Sequence, residues 1–215
     1  TPVAGRLKPL AARHTGVARH LCTLGAEAFD CAGRLVTLKE LYEAARAKGA
    51  EEELAADGHW GGSPRSVAFN AQWFRVAVDP GTGEIRILRS VHAADAGKVM
   101  NPMQCRGQVE GGVAQALGAT LFENVRIDGR GEVTTAAFRR YRLPQYADVP
   151  RTEVHFMETS DAIGPLGAKS MSESPFNPVA PAFANAVRDA TGIRFTQLPV
   201  TRDRMWLALD RDRAM

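Results

Sequence analysis

The chain has 215 residues, of which 45% are hydrophobic and 24% charged, and its net charge is only +3. This composition is typical of one or two globular domains and excludes collagen-like, disulfide-scaffold and largely disordered proteins. No run approaches the roughly 20 apolar residues that a membrane-spanning helix needs. Because the chain begins at Thr1 and shows no signal sequence, we expect a piece of a longer or processed protein.

Charge distribution and cysteine spacing exclude further classes of protein. Basic side chains are scattered among acidic ones, and the densest run, 139–142, is interpreted as a solvated or salt-bridged surface rather than a nucleic-acid site. Cys22, Cys31 and Cys105 have no metal-ligand spacing and no CxxC pair. We therefore expect neither a zinc site nor a disulfide framework, and we expect a reducing compartment, the cytoplasm.

The pattern over residues 1–60 predicts a small helical or mixed region. Thr37 and Glu40 have the spacing of a capping box, apolar residues then recur at helical spacing, and Gly49 is placed to end that helix. The polar, Gly- and Ala-rich segment 51–66 that follows is predicted to be a linker or a long loop.

A β-hairpin is predicted over residues 67–92. Apolar residues alternate with period two from Val67, and a phase slip at Trp73–Phe74 indicates a bulge in the first strand. Residues 79–83, Asp-Pro-Gly-Thr-Gly, have strong turn chemistry, and Ile85 begins the second strand.

A glycine-rich helix is predicted over residues 107–121. Val109, Val113 and Leu117 fall on one face of it. Each glycine inside a helix costs roughly 1 kcal/mol relative to Ala, so a helix that keeps several needs close contact with another backbone or with a ligand. Tight helix packing and ligand binding both stay open on this observation alone.

The C-terminal part of the chain mixes strands and helices. A turn at 128–131 precedes a strand at 151–158, a long loop at 161–178 and a helix at 179–191 that Gly192 ends. The predicted apolar face of that helix comprises Phe183, Val187 and Ala190, and a last helix starts after Thr201. Since no regular βαβ repeat is present, the sequence predicts an α+β fold.

The loop at 164–175 is the most unusual segment of the chain. It is not a phosphate-binding P-loop, because Ala168 separates Gly167 from Lys169 and prolines follow where a helix should begin. Glu173 is a carboxylate among small residues just before an apolar helix, where partial desolvation would suit a general base. A solvent-exposed loop carboxylate is the alternative interpretation.

Four segments of the chain occur in an order that is typical of a known family. Together they resemble the C-terminal part of the molybdenum-cofactor subunit of the xanthine dehydrogenase/aldehyde oxidase family, strongly over 67–209 and more weakly over 20–60. The segments are 107–112 (GQVEGG), 141–144 (YRLP), the loop 167–173, and 178–186 (PVAPAFANA).

The resemblance implies a fold as well as a family. Within the α+β class it implies a two-layer α/β arrangement. Residues 1–60 would form a small N-terminal helical or mixed region of the cofactor-binding domain. Residues 67–210 would form the C-terminal molybdenum cofactor-binding subdomain.

The resemblance also implies a chemistry for these residues. Members of the family hydroxylate an aldehyde or an N-heterocycle, with water as the oxygen source and molybdopterin, or its cytosine dinucleotide form, as the molybdenum cofactor. Glu173 matches the family's general base, and Gln108 matches a glutamine beside the metal's ligands. Further cofactor contacts are expected at Gly107, Gly111, Gly112, Lys169, Ser170, Met171 and Ser172, and no protein ligand to the metal is expected.

Two departures from the family pattern stand out. Ser170 and Ser172 occupy positions where glycine is common, which adds a hydroxyl and restricts the backbone near Glu173. Other cofactor contacts of the family lie upstream of this chain. The implied partners are the remainder of the molybdopterin subunit, an FAD-binding subunit, a 2Fe-2S subunit and a small-molecule substrate. The alternative is a non-catalytic docking module that completes a cofactor site on a partner chain.

Overall fold

The computed structural model describes residues 2–50, 54, 55, 57 and 65–213. The chain divides into two compact units, Thr1–Ser63 and Pro64–Met215. Most of the predicted linker at 51–66 lies outside the described residues, and the assignment of 1–60 and 67–210 to parts of one cofactor-binding domain stays a prediction. None of the described helices is long and apolar enough to cross a membrane.

The first unit is a small mixed structure, as its sequence pattern indicates. A three-stranded antiparallel sheet in the order β1-β2-β3 and two helices enclose a core that includes Ala11, Phe29, Val36 and Leu41. The elements are α1 (Pro2–Thr15), β1 (Cys22–Leu24), β2 (Ala28–Cys31), β3 (Arg34–Thr37) and α2 (Leu38–Arg46).

Half of the predicted capping box forms at the start of α2. The Thr37 hydroxyl accepts a hydrogen bond from the Glu40 backbone N–H at 3.1 Å. The Glu40 carboxylate contacts His14 Nε2 at 3.0 Å. Gly49 has a φ of +64°, the left-handed conformation expected just after a helix end.

The cysteines of the first unit contradict the expectation that no disulfide forms. Cys22 on β1 is the cross-strand partner of Cys31 on β2, both side chains are fully buried, and the two sulfurs form a disulfide. A search for CxxC spacing misses this pair because the hairpin, and not sequence proximity, brings the two residues together. Cysteine usage therefore no longer supports a reducing compartment, and the cytoplasmic location stays a prediction.

The second unit is built on a mixed three-stranded sheet in the order β4-β5-β6. β4 and β5 are antiparallel and β6 pairs with β5 in parallel, so the chain crosses over between those two strands. The elements are β4 (Asn70–Val78), β5 (Ile85–Ala94), α3 (Pro102–Leu121), β6 (Thr152–Phe156), α4 (Val179–Thr191) and α5 (Arg202–Arg213).

The predicted hairpin is confirmed, but its bulge lies on the other strand. Arg75 pairs with Arg89 and Val76 with Ile87, which leaves Leu88 of β5 as the extra residue. The sequence pattern slips at Trp73–Phe74 for another reason. Before that point the apolar residues of the first strand point to the exposed face of the sheet, and after it they point into the core.

Helices cover one face of this sheet, which makes the two-layer α/β arrangement that the sequence implies. Trp73, on the opposite face, is 51% exposed, and the guanidinium of Arg89 lies 5.9 Å from the centre of its ring. Ala190 is exposed, contrary to the prediction for α4. The buried core comprises Phe74, Val113, Ala116, Leu117, Val179, Phe183, Val187, Val200 and Met205.

The Tyr-Arg-Leu-Pro segment at 141–144 packs around the C-terminal end of α3. The Tyr141 hydroxyl donates to Glu123 Oε2 at 2.6 Å, and this hydrogen bond raises the pKa of Tyr141. The guanidinium of Arg142 lies 4.0 Å from the centre of the Phe122 ring and pairs with Asp148 at 2.9 Å. This segment therefore has a structural role, and the basic run 139–142 is partly salt-bridged.

A buried ion pair connects the end of β5 to the loop before α4. Lys169 Nζ donates to Asp95 Oδ2 at 2.7 Å, and the two side chains are 13% and 4% exposed. Burial alone would raise the pKa of Asp95. Hydrogen bonds from Lys169, Thr159 and the Gly97 backbone N–H outweigh burial and lower this pKa to about 2.

The pKa of Asp95 predicts acid sensitivity. Because the folded-state pKa is below the ordinary value, the pair stabilises the fold above about pH 4 and this contribution, on the order of 2 kcal/mol, is lost between about pH 4 and pH 2. At pH 7, Asp95→Asn should lower the free energy of unfolding by about 3–5 kcal/mol, since Lys169 is left buried without its partner.

Urea unfolding at a series of pH values measures both effects. The difference in the free energy of unfolding between wild type and Asp95→Asn should become smaller as the pH falls from 4 to 2. A difference that is independent of pH would contradict the role of the ion pair. Other carboxylates with lowered pKa values titrate equally in both proteins, so they cancel in the comparison.

Candidate functional site

The structure brings together two of the segments that carry the resemblance. Gln108 Nε2, on the exposed side of α3, donates a hydrogen bond of 2.6 Å to the backbone carbonyl of Ser172. Ser172 is adjacent to Glu173, so this bond fixes the glycine-rich helix beside the loop that carries the carboxylate. Both segments face solvent at this point, since Gln108, Ser172 and Glu173 are all exposed.

The glycines of α3 serve two different purposes. A Cβ atom at Gly112 would approach Pro175 Cβ to 3.0 Å, so this glycine allows the helix to pack tightly against the loop. At Gly107 and Gly111 no atom of the described residues lies within 4 Å of the position that a Cβ would occupy. Those two positions leave the helix backbone open to a molecule outside this chain.

The loop backbone is held in an uncommon conformation next to Glu173. Ser172 has a φ of +37°, in the left-handed region that favours glycine. The carbonyls of Met171 and Glu173 accept hydrogen bonds from the backbone N–H groups of Ser174 and Phe176. Within the described part of the chain, no acceptor is found for the N–H groups of residues 170–173, which leaves these donors available to a ligand.

Glu173 is exposed, which agrees with the alternative interpretation of a solvent-exposed loop carboxylate rather than with a partly desolvated one. In the described residues its carboxylate has no hydrogen-bond or salt-bridge partner. The small neighbours that suggested a buried environment, Ser170 and Ser172, are exposed as well, and only Met171 is half-buried. Any desolvation of the carboxylate would come from groups other than the residues that the structure describes.

Lys169 differs from the other expected cofactor contacts. Its ammonium group donates to Asp95 and to the backbone carbonyl of Val67 at 3.1 Å, so it is committed to the fold. Its backbone N–H donates to the Ala96 carbonyl at 2.9 Å. A direct contact from Lys169 to a cofactor therefore stays a prediction that its side-chain position does not favour.

The donor set suits a large ligand with several acceptor atoms. Across the described ranges no group of three or more His, Cys, Asp or Glu side chains is placed to hold a metal ion. The surface instead offers the open backbone at Gly107 and Gly111, the Gln108 amide and the free N–H groups of residues 170–173. Successive backbone donors of this kind bind anionic or strongly polar acceptor groups.

Sequence reasoning missed the residues that hold the loop in place. Asp95, Thr159 and Gly97 did not stand out because each is a common residue type and none belongs to a recognised motif. One pattern could have indicated Asp95, which lies directly after the apolar alternation of β5 and is therefore close to the buried end of a strand.

Comparison with known proteins places the chain in a family. A family model described as a molybdopterin cofactor-binding domain matches residues 1–150, which includes α3 and Gln108 but ends before the loop with Glu173. The aldehyde oxidoreductase molybdenum-binding subunit PaoC of Escherichia coli K12 is 37% identical over 139 residues, covering 64% of this chain and 19% of PaoC. A probable xanthine dehydrogenase subunit of Bacillus subtilis is 33% identical over 228 residues, covering 98% of this chain and 29% of that protein.

A solved structure agrees with these sequence relatives. The CO dehydrogenase from Oligotropha carboxidovorans superposes with a TM-score of 0.86 at 26% identity, over 97% of this chain and 27% of that one. The chain thus spans less than a third of each of these three proteins. The family model covers more than half of the chain, and the chain therefore belongs to the molybdopterin cofactor-binding family, with the molybdenum-binding subunits of xanthine dehydrogenases and aldehyde oxidoreductases.

Proposed function

We propose that this chain forms part of the active site of a molybdenum hydroxylase that oxidises an aldehyde or an N-heterocycle, with water as the oxygen source and Glu173 as the general base. The observation that carries the proposal is the hydrogen bond from Gln108 to the carbonyl of Ser172. It places an open glycine face, a side-chain amide and a carboxylate on one exposed surface. Relatives that are aldehyde oxidoreductase and xanthine dehydrogenase subunits support the reaction class.

The cofactor would lie against α3 and the loop. When bound, the molybdenum–pterin cofactor, as molybdopterin or its cytosine dinucleotide, supplies the oxygen-transfer and redox chemistry. Gly107 and Gly111 let it approach the helix backbone. Gln108 keeps its amide oxygen available for a donor while its nitrogen holds Ser172, and the free N–H groups of residues 170–173 donate to the cofactor's acceptor atoms.

Glu173 holds the proton that leaves the attacking oxygen. A positioned carboxylate can take that proton only if it reaches the nucleophile at hydrogen-bond distance, so the conformation at Ser172 and the bond from Gln108 set its direction. Glu173 is exposed in this chain, and its environment as a base would be completed by cofactor, substrate and the upstream part of the subunit. Electrons would then pass to a 2Fe-2S subunit and an FAD-binding subunit.

Cofactor retention should depend on Gln108. In the assembled molybdenum-binding subunit that contains this chain, Gln108→Ala removes the bond to Ser172, and we expect molybdenum and pterin content to fall several-fold, since a lost hydrogen bond is worth about 1 kcal/mol. Elemental analysis measures the molybdenum content, and fluorescence measures the pterin content. Gln115→Ala, an exposed change on the same helix about 10 Å along its axis, is the matched control and should retain cofactor.

The alternative, a non-catalytic docking module that completes a cofactor site on a partner chain, predicts the same loss of molybdenum and is separated from the proposal by the turnover of Glu173→Gln. Equal molybdenum content in wild type, Gln108→Ala and Gln115→Ala is expected under neither. That result would contradict the placement of the cofactor against α3.

Turnover should depend on Glu173. Glu173→Gln keeps the shape of the side chain but cannot accept the proton, so kcat should fall by about 10²–10⁴-fold at unchanged molybdenum content. Glu158→Gln, a change of another exposed carboxylate in the second unit, should leave kcat unchanged. Wild-type turnover in Glu173→Gln would show that another group is the base.

Ser172 and Ser170 should respond in opposite ways to glycine. The positive φ at Ser172 strains a residue with a side chain by about 1–2 kcal/mol, so Ser172→Gly should leave the free energy of unfolding unchanged or raise it by up to about 1 kcal/mol. Ser170 lacks a positive φ, and Ser170→Gly should lower that free energy by about 0.5–1 kcal/mol. Urea unfolding of both variants tests this, and equal losses would mean that Ser172 is not strained.

A further inference from the structure

The loop that carries Glu173 is tied to the sheet before it reaches the site. The backbone after β5 and the loop run antiparallel for a short stretch: Lys98 N–H donates to the Gly167 carbonyl, and Lys169 N–H donates to the Ala96 carbonyl, both at 2.9 Å. Gly97 and Ala168 face each other in this bridge, and a Cβ at Gly97 would collide with the Gly167 carbonyl. The two segments are therefore in direct backbone contact.

The Asp95 carboxylate forms hydrogen bonds to both segments of this bridge. Its Oδ2 accepts from Lys169 Nζ at 2.7 Å, and its Oδ1 accepts from the Thr159 hydroxyl and from the Gly97 backbone N–H. Lys169 uses a second donor on the Val67 carbonyl. The Asp95–Lys169 pair thus joins four segments of the second unit, which contain Val67, Asp95, Thr159 and Lys169, and the Asp95 side chain is only 4% exposed.

Both charged groups are satisfied by each other and by their neighbours. A buried ion pair of this kind gives little net stability compared with apolar residues, because desolvation offsets most of the attraction. It does fix geometry, since a buried charge cannot move away from its partner without a large penalty. The pair is therefore better explained by the conformation that it specifies than by the stability that it adds.

Resting on the proposed role of Glu173, we propose that Asp95 is a positioning residue, which acts through Lys169 to fix the loop and thereby the Glu173 carboxylate. Glu173 follows Lys169 by four residues, so it lies at most about 14 Å of extended chain from the anchor. The loop is fixed again at Ser172 by Gln108 and at Pro175 by its packing against Gly112. The Asp95–Lys169 pair is the first of these three points.

Loop order is the first readout, and it needs no cofactor. The double variant Asp95→Leu/Lys169→Met removes both charges together, so it leaves no unpaired buried charge and should fold. Hydrogen exchange of the peptide spanning 167–176, followed by mass spectrometry, should become about tenfold faster than in wild type. Arg89→Met/Glu153→Leu removes the ion pair on the exposed face of the sheet and is the matched control, with unchanged exchange in that peptide.

Turnover per bound molybdenum in the assembled enzyme is the second readout. Because displacement of a catalytic group by about 1 Å can cost about 100-fold, the double variant should lower kcat by about 10- to 100-fold with a smaller change in KM. In the Glu173→Gln background the same double change should lower kcat by less than about threefold, because a residue that acts only through Glu173 has nothing left to position. A merely structural role would lower kcat by the same factor in both backgrounds.

Two further variants complement the double variant. Thr159→Val removes only one donor from Asp95 and should give a smaller rise in hydrogen exchange and a smaller fall in kcat. This variant tests the proposal if the double variant does not fold. Lys169→Arg keeps a charged donor and should retain most of the wild-type kcat.

Besides an equal fall in kcat in both backgrounds, three outcomes would overturn the proposal. Unchanged exchange in both the double variant and Thr159→Val would show that the pair does not order the loop. Faster exchange with unchanged kcat would remove the positioning role while the proposed function stands, provided that Glu173→Gln is inactive. Full turnover in Glu173→Gln would instead overturn the proposed function and, with it, the positioning role.

Discussion

The buried contact between Asp95 and Lys169 is the interaction on which the arrangement of the candidate site depends. It links the end of β5, the strand at the centre of the sheet, to the long loop before α4, in which the regular structure described is a three-residue 3-10 turn at Pro165–Gly167. A loop cannot hold a catalytic geometry by itself, because its backbone has too few hydrogen bonds to exclude other conformations. Here one carboxylate with donors on both oxygens supplies the missing restraint.

The glycines of α3 show how one sequence feature can serve two physical needs. At Gly112 a Cβ would lie only 3.0 Å from Pro175 Cβ, so this glycine belongs to a close contact between helix and loop, whereas Gly107 and Gly111 have open space in front of them. Of the two interpretations that the sequence left open, helix packing is therefore observed at Gly112, and ligand binding stays a prediction for the two open positions. The open pair is the one that matters for a ligand, and it lies on either side of Gln108.

Much of this architecture could be predicted from local patterns in the sequence. The hairpin turn, the helix from Val179 to Thr191 and its end at Gly192 could be predicted because turn residues and apolar periodicity are local properties. The Cys22–Cys31 disulfide, the parallel pairing of β6 and the Asp95–Lys169 contact could not, since each joins residues that only the folded backbone brings together. At the site, the family resemblance selected Gln108 and Glu173, whose roles stay predictions, and it could not show that the Lys169 side chain is engaged within the fold.

The parallel pairing of β5 with β6 has a consequence for how the second unit acquires its structure. β6 reaches its place only after the long connection that contains α3 has been made, so the centre of the sheet is completed by residues far apart in the chain. Such long-range closure is slow compared with the formation of a hairpin. Until it occurs, β5 presents an unpaired edge, and this is the surface through which an incompletely folded chain would associate with others.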